Sequence, residues 1–170
     1  ARDYRALQGR RAVVLCIDVS GSMGLSDYSP NRLAGATQAS ERYCETLAAR
    51  EADTVIGLVA FSDEACVHCP PVPVRKGTAT LFSALRGLEI LGGTHIGDGL
   101  ELAGHELARV PSAMNPTVIM LTDGESNGGA DPLAIAHELK RRGIQLDIIG
   151  IGGSPKDVNE PDLKRMASVV

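Results

Sequence analysis

Three polar segments hold the oxygen atoms that could do chemistry in this chain: Asp18-Val19-Ser20-Gly21-Ser22, Gly92-Gly93-Thr94-His95 and Thr122-Asp123-Gly124-Glu125. Each follows an apolar run or opens a helical pattern. Together they offer two carboxylates, Asp18 and Asp123, and three hydroxyls, Ser20, Ser22 and Thr94, with no cysteine or histidine at ligating spacing. Such a set makes a hard oxygen site, for which Mg²⁺ is the first choice and Mn²⁺ and Ca²⁺ are the alternatives. Mg²⁺ demands near-octahedral geometry and keeps several waters, so few direct protein ligands leave a coordination position for an outside group.

Segments so far apart in sequence meet only if the fold brings them together. Five apolar runs alternate with helical patterns, the order expected of a parallel sheet wrapped by helices on both faces. Residues 11–18 read as a central strand buried on both sides, because the run is nearly continuous in Val, Leu and Ile. Residues 31–50 form a helix with Leu33, Ala36, Ser40, Tyr43 and Leu47 along one face. Residues 54–61 are the second strand. The piece at 64–73 has three prolines in four residues, which suits a sheet edge, and its short link from Phe61 makes it turn back antiparallel. Helices follow at 78–90 and 96–110, then a buried strand at 116–121. Asp131 caps a helix with Pro132 at its first position and Gly143 at its end. A strand at 144–151 and a helix opened by Pro161 complete the reading. The fold class is therefore α/β, doubly wound and Rossmann-like, with a mostly parallel central sheet and one antiparallel edge strand. The first and third polar segments end strands of that sheet, and the carboxyl ends of parallel strands share one edge, where such sheets bind ligands.

Composition bounds the rest. A chain of 170 residues, 44% hydrophobic, supplies one core and not two, so residues 1–170 read as a single domain, with an N-terminal extension at 1–10 and an incomplete segment at 154–170. A net charge of −4 with scattered basic residues disfavours a nucleic-acid surface. The longest apolar stretches fall far short of the roughly 20 residues that span a bilayer. No apolar signal core precedes residue 10, and the four cysteines are too few and unevenly placed for a disulfide framework, which favours a cytoplasmic setting over the cell surface or exterior.

With the order and placement of these motifs in view, Asp18-x-Ser20-x-Ser22, the Gly-Gly-Thr94 loop and the Thr122-Asp123-Gly124 loop resemble the metal-ion-dependent adhesion site of von Willebrand factor type A domains, and the match runs from about residue 11 to 153. The resemblance implies that Ser20 and Ser22 ligate the metal directly, that Thr94 does so in the ligand-competent state, and that Asp18 and Asp123 act through waters or as alternate direct ligands. Neutral hydroxyls leave more of the ion's charge uncompensated than carboxylates would, so the metal still attracts an anion. In the family that anion is commonly a partner's Glu or Asp. The resemblance also implies a last strand and terminal helix, which are not found before Val170.

A non-enzymatic, metal-dependent interaction module is the leading functional expectation. A scaffold subunit working with an AAA-type ATPase, or with further domains of a longer chain, is the alternative, and a metal-dependent phosphoesterase stands third. The phosphoesterase lacks support because no phosphate-cradling loop exists and serine stands two residues after Asp18, where a carboxylic acid would be needed. Asp27, Tyr28, His95 and Glu125 are candidates for partner contact at the rim, with Asn31 beside them. Asp98, near a helix start, reads as a dipole-complementing cap. Cys66, His68 and Cys69 read as a half-buried edge, since a strand alternates its faces, rather than as a second metal site.

Overall fold

The central strand of the sheet explains the rest of the architecture. In the computed structural model, which describes residues 10–51, 53–112, 114–154, 156 and 158–168, β1 (Arg11–Asp18) is buried at every position after the first. The extension expected at residues 1–10 lies outside the described residues except for Arg10. Because side chains alternate along a strand, β1 feeds two cores at once. Val13, Leu15 and Ile17 pack on one face with α1 (Arg32–Arg50) and α2 (Val74–Arg86). Ala12, Val14 and Cys16 pack on the other with α3 (Ile96–Ala108), α4 (Pro132–Arg141) and α5 (Glu160–Met166). The continuous apolar run of β1 is the consequence of having helices on both sides.

Beside β1 lie β2 (Val55–Phe61) and β4 (Asn115–Thr122), both parallel to it, with β3 (Ala65–Pro73) and β5 (Gln145–Gly150) at the edges in the order β3-β2-β1-β4-β5. The edge strand β3 runs antiparallel to β2, and its prolines fall where missing backbone donors cost no ladder bond to a further strand. The chain leaves β1 for α1 on one face and leaves β4 for α4 on the other. Neighbouring strands β1 and β4 thus diverge at their carboxyl ends and open a crevice between them.

Both ends of α2 differ from the sequence reading by four residues, the other boundaries by two or fewer. α2 begins at Val74, not at residue 78, because its buried face is set by Val74, Gly77, Leu81 and Leu85, a helical spacing that starts directly after Pro73. It ends at Arg86, and Leu88 to Leu91 run on as loop towards the Gly92-Gly93 turn. α4 follows expectation closely: the Asp131 carboxylate accepts from the Leu133 amide at 3.0 Å, Pro132 stands at the start, and Gly143 takes φ +77° beyond the end.

Candidate metal centre

Asp18 and Thr122 end the adjacent strands β1 and β4, so the sheet register alone brings the first and third polar segments together. Asp18 is fully buried. Its Oδ1 accepts the Ser20 amide at 2.8 Å, and its Oδ2 accepts the Thr122 hydroxyl at 2.6 Å. The same Thr122 oxygen accepts the Gly124 amide at 3.0 Å, which folds the Asp123-Gly124 turn back over the strand end. Gly124 has φ +90°, a conformation that a side chain would strain, and it packs against Leu163 of α5.

Ser20 and Ser22 flank the start of a 3₁₀ turn, Gly21–Gly24, whose Met23 is sunk into the core as an anchor. The turn holds the Ser20 and Ser22 hydroxyl oxygens 3.2 Å apart. Two backbone bonds fasten this loop to the second polar segment: the Gly21 amide donates to Gly92 O at 3.0 Å and the Leu91 amide to Val19 O at 2.7 Å. Thr94 is itself held by the two residues Ser126 and Asn127, just beyond the third segment. Its amide donates to Asn127 Oδ1 at 2.9 Å, and its carbonyl accepts from the Asn127 amide at 2.9 Å and the Ser126 hydroxyl at 3.2 Å. Ser22, Thr94, Gly124, Asn127, Leu133 and Met166 line one cleft of about 600 Å³. The five residues singled out from the sequence, Asp18, Ser20, Ser22, Thr94 and Asp123, therefore stand on three loops cross-linked at one edge of the sheet.

Asp123 supplies the most informative atom. Its side chain is almost wholly buried; Oδ2 accepts from Arg32 Nη1 at 3.1 Å, while Oδ1 has no hydrogen-bond partner among the described residues. A buried carboxylate oxygen without a partner costs about 1–3 kcal/mol or more. A hydrated divalent cation would satisfy it. Ser20, Ser22 and Thr94 as hydroxyl donors, with Asp123 Oδ1 and the already hydrogen-bonded Asp18, are a donor set that could hold such an ion. Among the described residues no three His, Cys, Asp or Glu side chains converge as a metal cage, so any such ion would rest mainly on hydroxyls.

Electrostatics follow from this packing. Burial pushes the Asp18 carboxyl above its ordinary value; hydrogen bonds from Ser20 and Thr122 oppose that, and the neighbouring charge of Asp123 adds to it. The Arg32 guanidinium draws Asp27 down to about 2 through its hydrogen bonds.

The rim residues have partners within the chain that the sequence did not suggest. Asp27, an exposed residue, pairs with Arg32, its Oδ1 2.9 Å from Nε and its Oδ2 2.6 Å from Nη2. Asn31 caps α1, its Oδ1 accepting the Ala34 amide at 2.8 Å. Asp98 lies in the first turn of α3, as a dipole-complementing residue should, but Oδ1 also accepts the Ala130 amide at 2.9 Å, and Oδ2 lies 3.2 Å from His95 Nδ1. Glu125 and Tyr28 are exposed, and His95 is half-buried. On β3, Cys66 is exposed and Cys69 buried; a register shift between them pairs Cys66 with Ala60 and Cys69 with Leu58, so simple alternation of faces does not account for the difference.

Sequence reasoning missed Arg32 and Asn127 as parts of the site, and it named Thr122 within the third motif without giving its hydroxyl a role. Arg32 left one signal: it is a cation in the first turn of a helix, where the dipole disfavours positive charge, so something else must hold it there.

Residues 13–125 match the von Willebrand factor type A domain family. A UPF0353 protein of Mycobacterium sp. (strain KMS) is 29% identical over 164 aligned residues, covering 89% of this chain and 47% of the relative. The chain thus spans about half the length of the curated relatives it matches. The solved von Willebrand factor type A structure from Catenulispora acidiphila superposes with a TM-score of 0.78 at 27% identity, over 94% of this chain and 36% of that one. The open form of the pilus adhesin SpaC from Lactobacillus rhamnosus GG shares the fold alone, with a TM-score of 0.76 at 16% identity over 94% of this chain and 27% of the adhesin. Among the described residues no helix is long and apolar enough to cross a membrane. By the match over 13–125, this chain belongs to the von Willebrand factor type A domain family.

Proposed function

We propose that this domain is a protein-interaction module that binds a Glu or Asp side chain of its partner through a divalent cation, Mg²⁺ in the first instance, held by Ser20, Ser22, Thr94, Asp18 and Asp123. The observation that carries the reading is the buried Asp123 Oδ1, which has no hydrogen-bond partner among the described residues, at the same sheet edge as the paired Ser20 and Ser22 hydroxyls. The bound ion would supply positive charge that neutral hydroxyl ligands leave largely uncompensated, and a carboxylate is its natural complement. The protein's own contribution is positional. Asp18 locks the Ser20 loop to β4, and Asn127 holds Thr94 at the cleft wall, so the donors are set before any ion arrives. The likeness to a pilus adhesin is a likeness of fold, and it agrees with an adhesive use of this edge. No residue of the site is assigned a catalytic role.

Calorimetric titration of Mg²⁺ and Mn²⁺ into the wild type and Asp123→Ala, each with and without a short peptide bearing one Glu, tests the reading. Saturable binding in the wild type, lost in Asp123→Ala while the variant stays folded, supports it. A wild type that takes up neither ion even with the peptide present overturns it.

A further inference from the structure

Arg32 is sunk into the protein at 4% exposure, at the start of α1, where the helix itself offers it nothing favourable. Its guanidinium is divided between two carboxylates. Nε and Nη2 grip Asp27 in a two-pronged pair, and Nη1 reaches Asp123 Oδ2 at 3.1 Å. Asp27 is fixed in turn from behind, its Oδ2 accepting the Gly153 amide at 3.0 Å, and Gly153 has no room for a side chain beside it. The guanidinium is therefore held in place by a residue outside the metal centre and applied to one inside it. Of the two oxygens of Asp123, Arg32 occupies one and leaves the other buried without a partner among the described residues.

We infer that Arg32 is a built-in counter-charge that sets how tightly this site takes its metal: it claims Asp123 Oδ2, restricts Asp123 to one oxygen towards the ion, and opposes the ion with its own positive charge. The inference rests on the metal-dependent reading above and gives it a direction. A centre with a neighbouring cation gives up metal affinity, and the ion it does hold stays less neutralised by Asp123 and more attractive to a partner's carboxylate. Arg32 is a positioning residue, because it acts through Asp123 and touches neither ion nor partner.

A strut and a counter-charge differ in sign. If Arg32 only braced the loops, any change to it or to Asp27 would weaken metal binding. As a counter-charge, its neutralisation tightens binding, whereas neutralising Asp27 leaves the Arg32 charge less compensated and weakens it. The experiment is Mg²⁺ calorimetry on wild type, Arg32→Gln, Arg32→Met and Asp27→Asn, with circular dichroism on each and a second titration by a Glu-bearing peptide at saturating Mg²⁺. Arg32→Gln keeps a donor for Asp123 and decides the matter should Arg32→Met not fold. The expected result is Mg²⁺ binding roughly tenfold tighter in the Arg32 variants and a few-fold weaker in Asp27→Asn, with the peptide bound less tightly by Arg32→Gln than by wild type. Folded Arg32 variants with unchanged or weaker Mg²⁺ affinity overturn the inference, as does tighter binding by Asp27→Asn. If the wild type itself takes up no Mg²⁺ with or without peptide, the metal reading falls and this falls with it; if the wild type binds and the variants shift the wrong way, only the role of Arg32 falls.

Discussion

The Thr122 hydroxyl lies 2.6 Å from Asp18 Oδ2 and joins the last residue of β4 to the last residue of β1. The same oxygen receives the Gly124 amide, so one side-chain atom fixes both the neighbouring strand end and the turn that carries Asp123. Thr122→Val keeps the shape and removes the oxygen, leaving a buried carboxylate and a buried amide each short of a partner. The expected loss of stability is about 2–3 kcal/mol, read by urea denaturation, with weaker Mg²⁺ binding beside it. Thr122→Ser should recover most of both. A valine variant as stable as wild type would show that the two strand ends are held by the sheet alone.

The pair of Asp27 and Arg32 gives the domain an acid sensitivity whose sign is fixed. Arg32 lowers Asp27 from its ordinary 3.8 to about 2, so the folded state favours the carboxylate form. The stabilisation is fully present above the unfolded value of 3.8 and is lost as pH falls through about 2. Melting temperatures of wild type and Asp27→Asn should therefore differ by a constant amount above pH 5 and converge between about pH 4 and pH 2. A gap that persists undiminished at pH 2 would assign the effect of Asp27 to packing.

What the sequence made legible was whatever is written in period and type. The run from Val13 to Ile17 declares a strand covered on both faces, and the structure uses alternate residues of it for two cores. Asp131-Pro132 and Gly143 mark the ends of α4 because capping chemistry is local. The residues of the proposed metal centre could be placed at one sheet edge because parallel strands gather their carboxyl ends. Arg32 and Asn127 could not, since their partners, Asp123 and Thr94, lie 91 and 33 residues away and no periodicity connects them. The ion pair of Asp27 was not legible either: Arg32 is five residues on, but only the turn between them brings the two together. The start of α2 was displaced because a proline-rich edge strand runs directly into the helix, and composition hides that junction.

The cysteines offer a check on the sheet that is independent of metal. Cys16 is on β1, Cys44 is on α1 facing the core, and Cys69 is on the inner face of β3, all buried, while Cys66 is exposed. Burial also pushes the Cys44 thiol up to about 12, which leaves very little reactive thiolate at neutral pH. Brief treatment with iodoacetamide under native conditions should alkylate Cys66 first, and the other three only after denaturation, as read by peptide mass spectrometry. Rapid native labelling of Cys69 would mean that β3 does not hold the register described.

Two glycines separate the stability of the fold from the geometry of the site. Gly97, in the first turn of α3, is packed so closely on the Ala130 carbonyl that a Cβ would overlap it, and a backbone carbonyl cannot swing aside as a side-chain tip can. Gly143 has open space around it but sits at φ +77°, which a Cβ strains wherever it points. Gly97→Ala and Gly143→Ala should each cost about 1–2 kcal/mol by chemical denaturation, the first from overpacking and the second from backbone strain. Their effects on the proposed metal centre should diverge. Gly97 stands three residues after Thr94, and the 126–130 segment it presses on is the one that clamps Thr94 through Ser126 and Asn127. Pushing α3 away from that segment shifts Thr94 against Ser20 and Ser22, so Gly97→Ala should weaken Mg²⁺ binding several-fold, while Gly143→Ala, at the far end of α4, should leave it unchanged. Equal metal affinity in the two variants, with Gly97→Ala folded and destabilised, would show that Thr94 is held firmly enough to withstand a displaced helix.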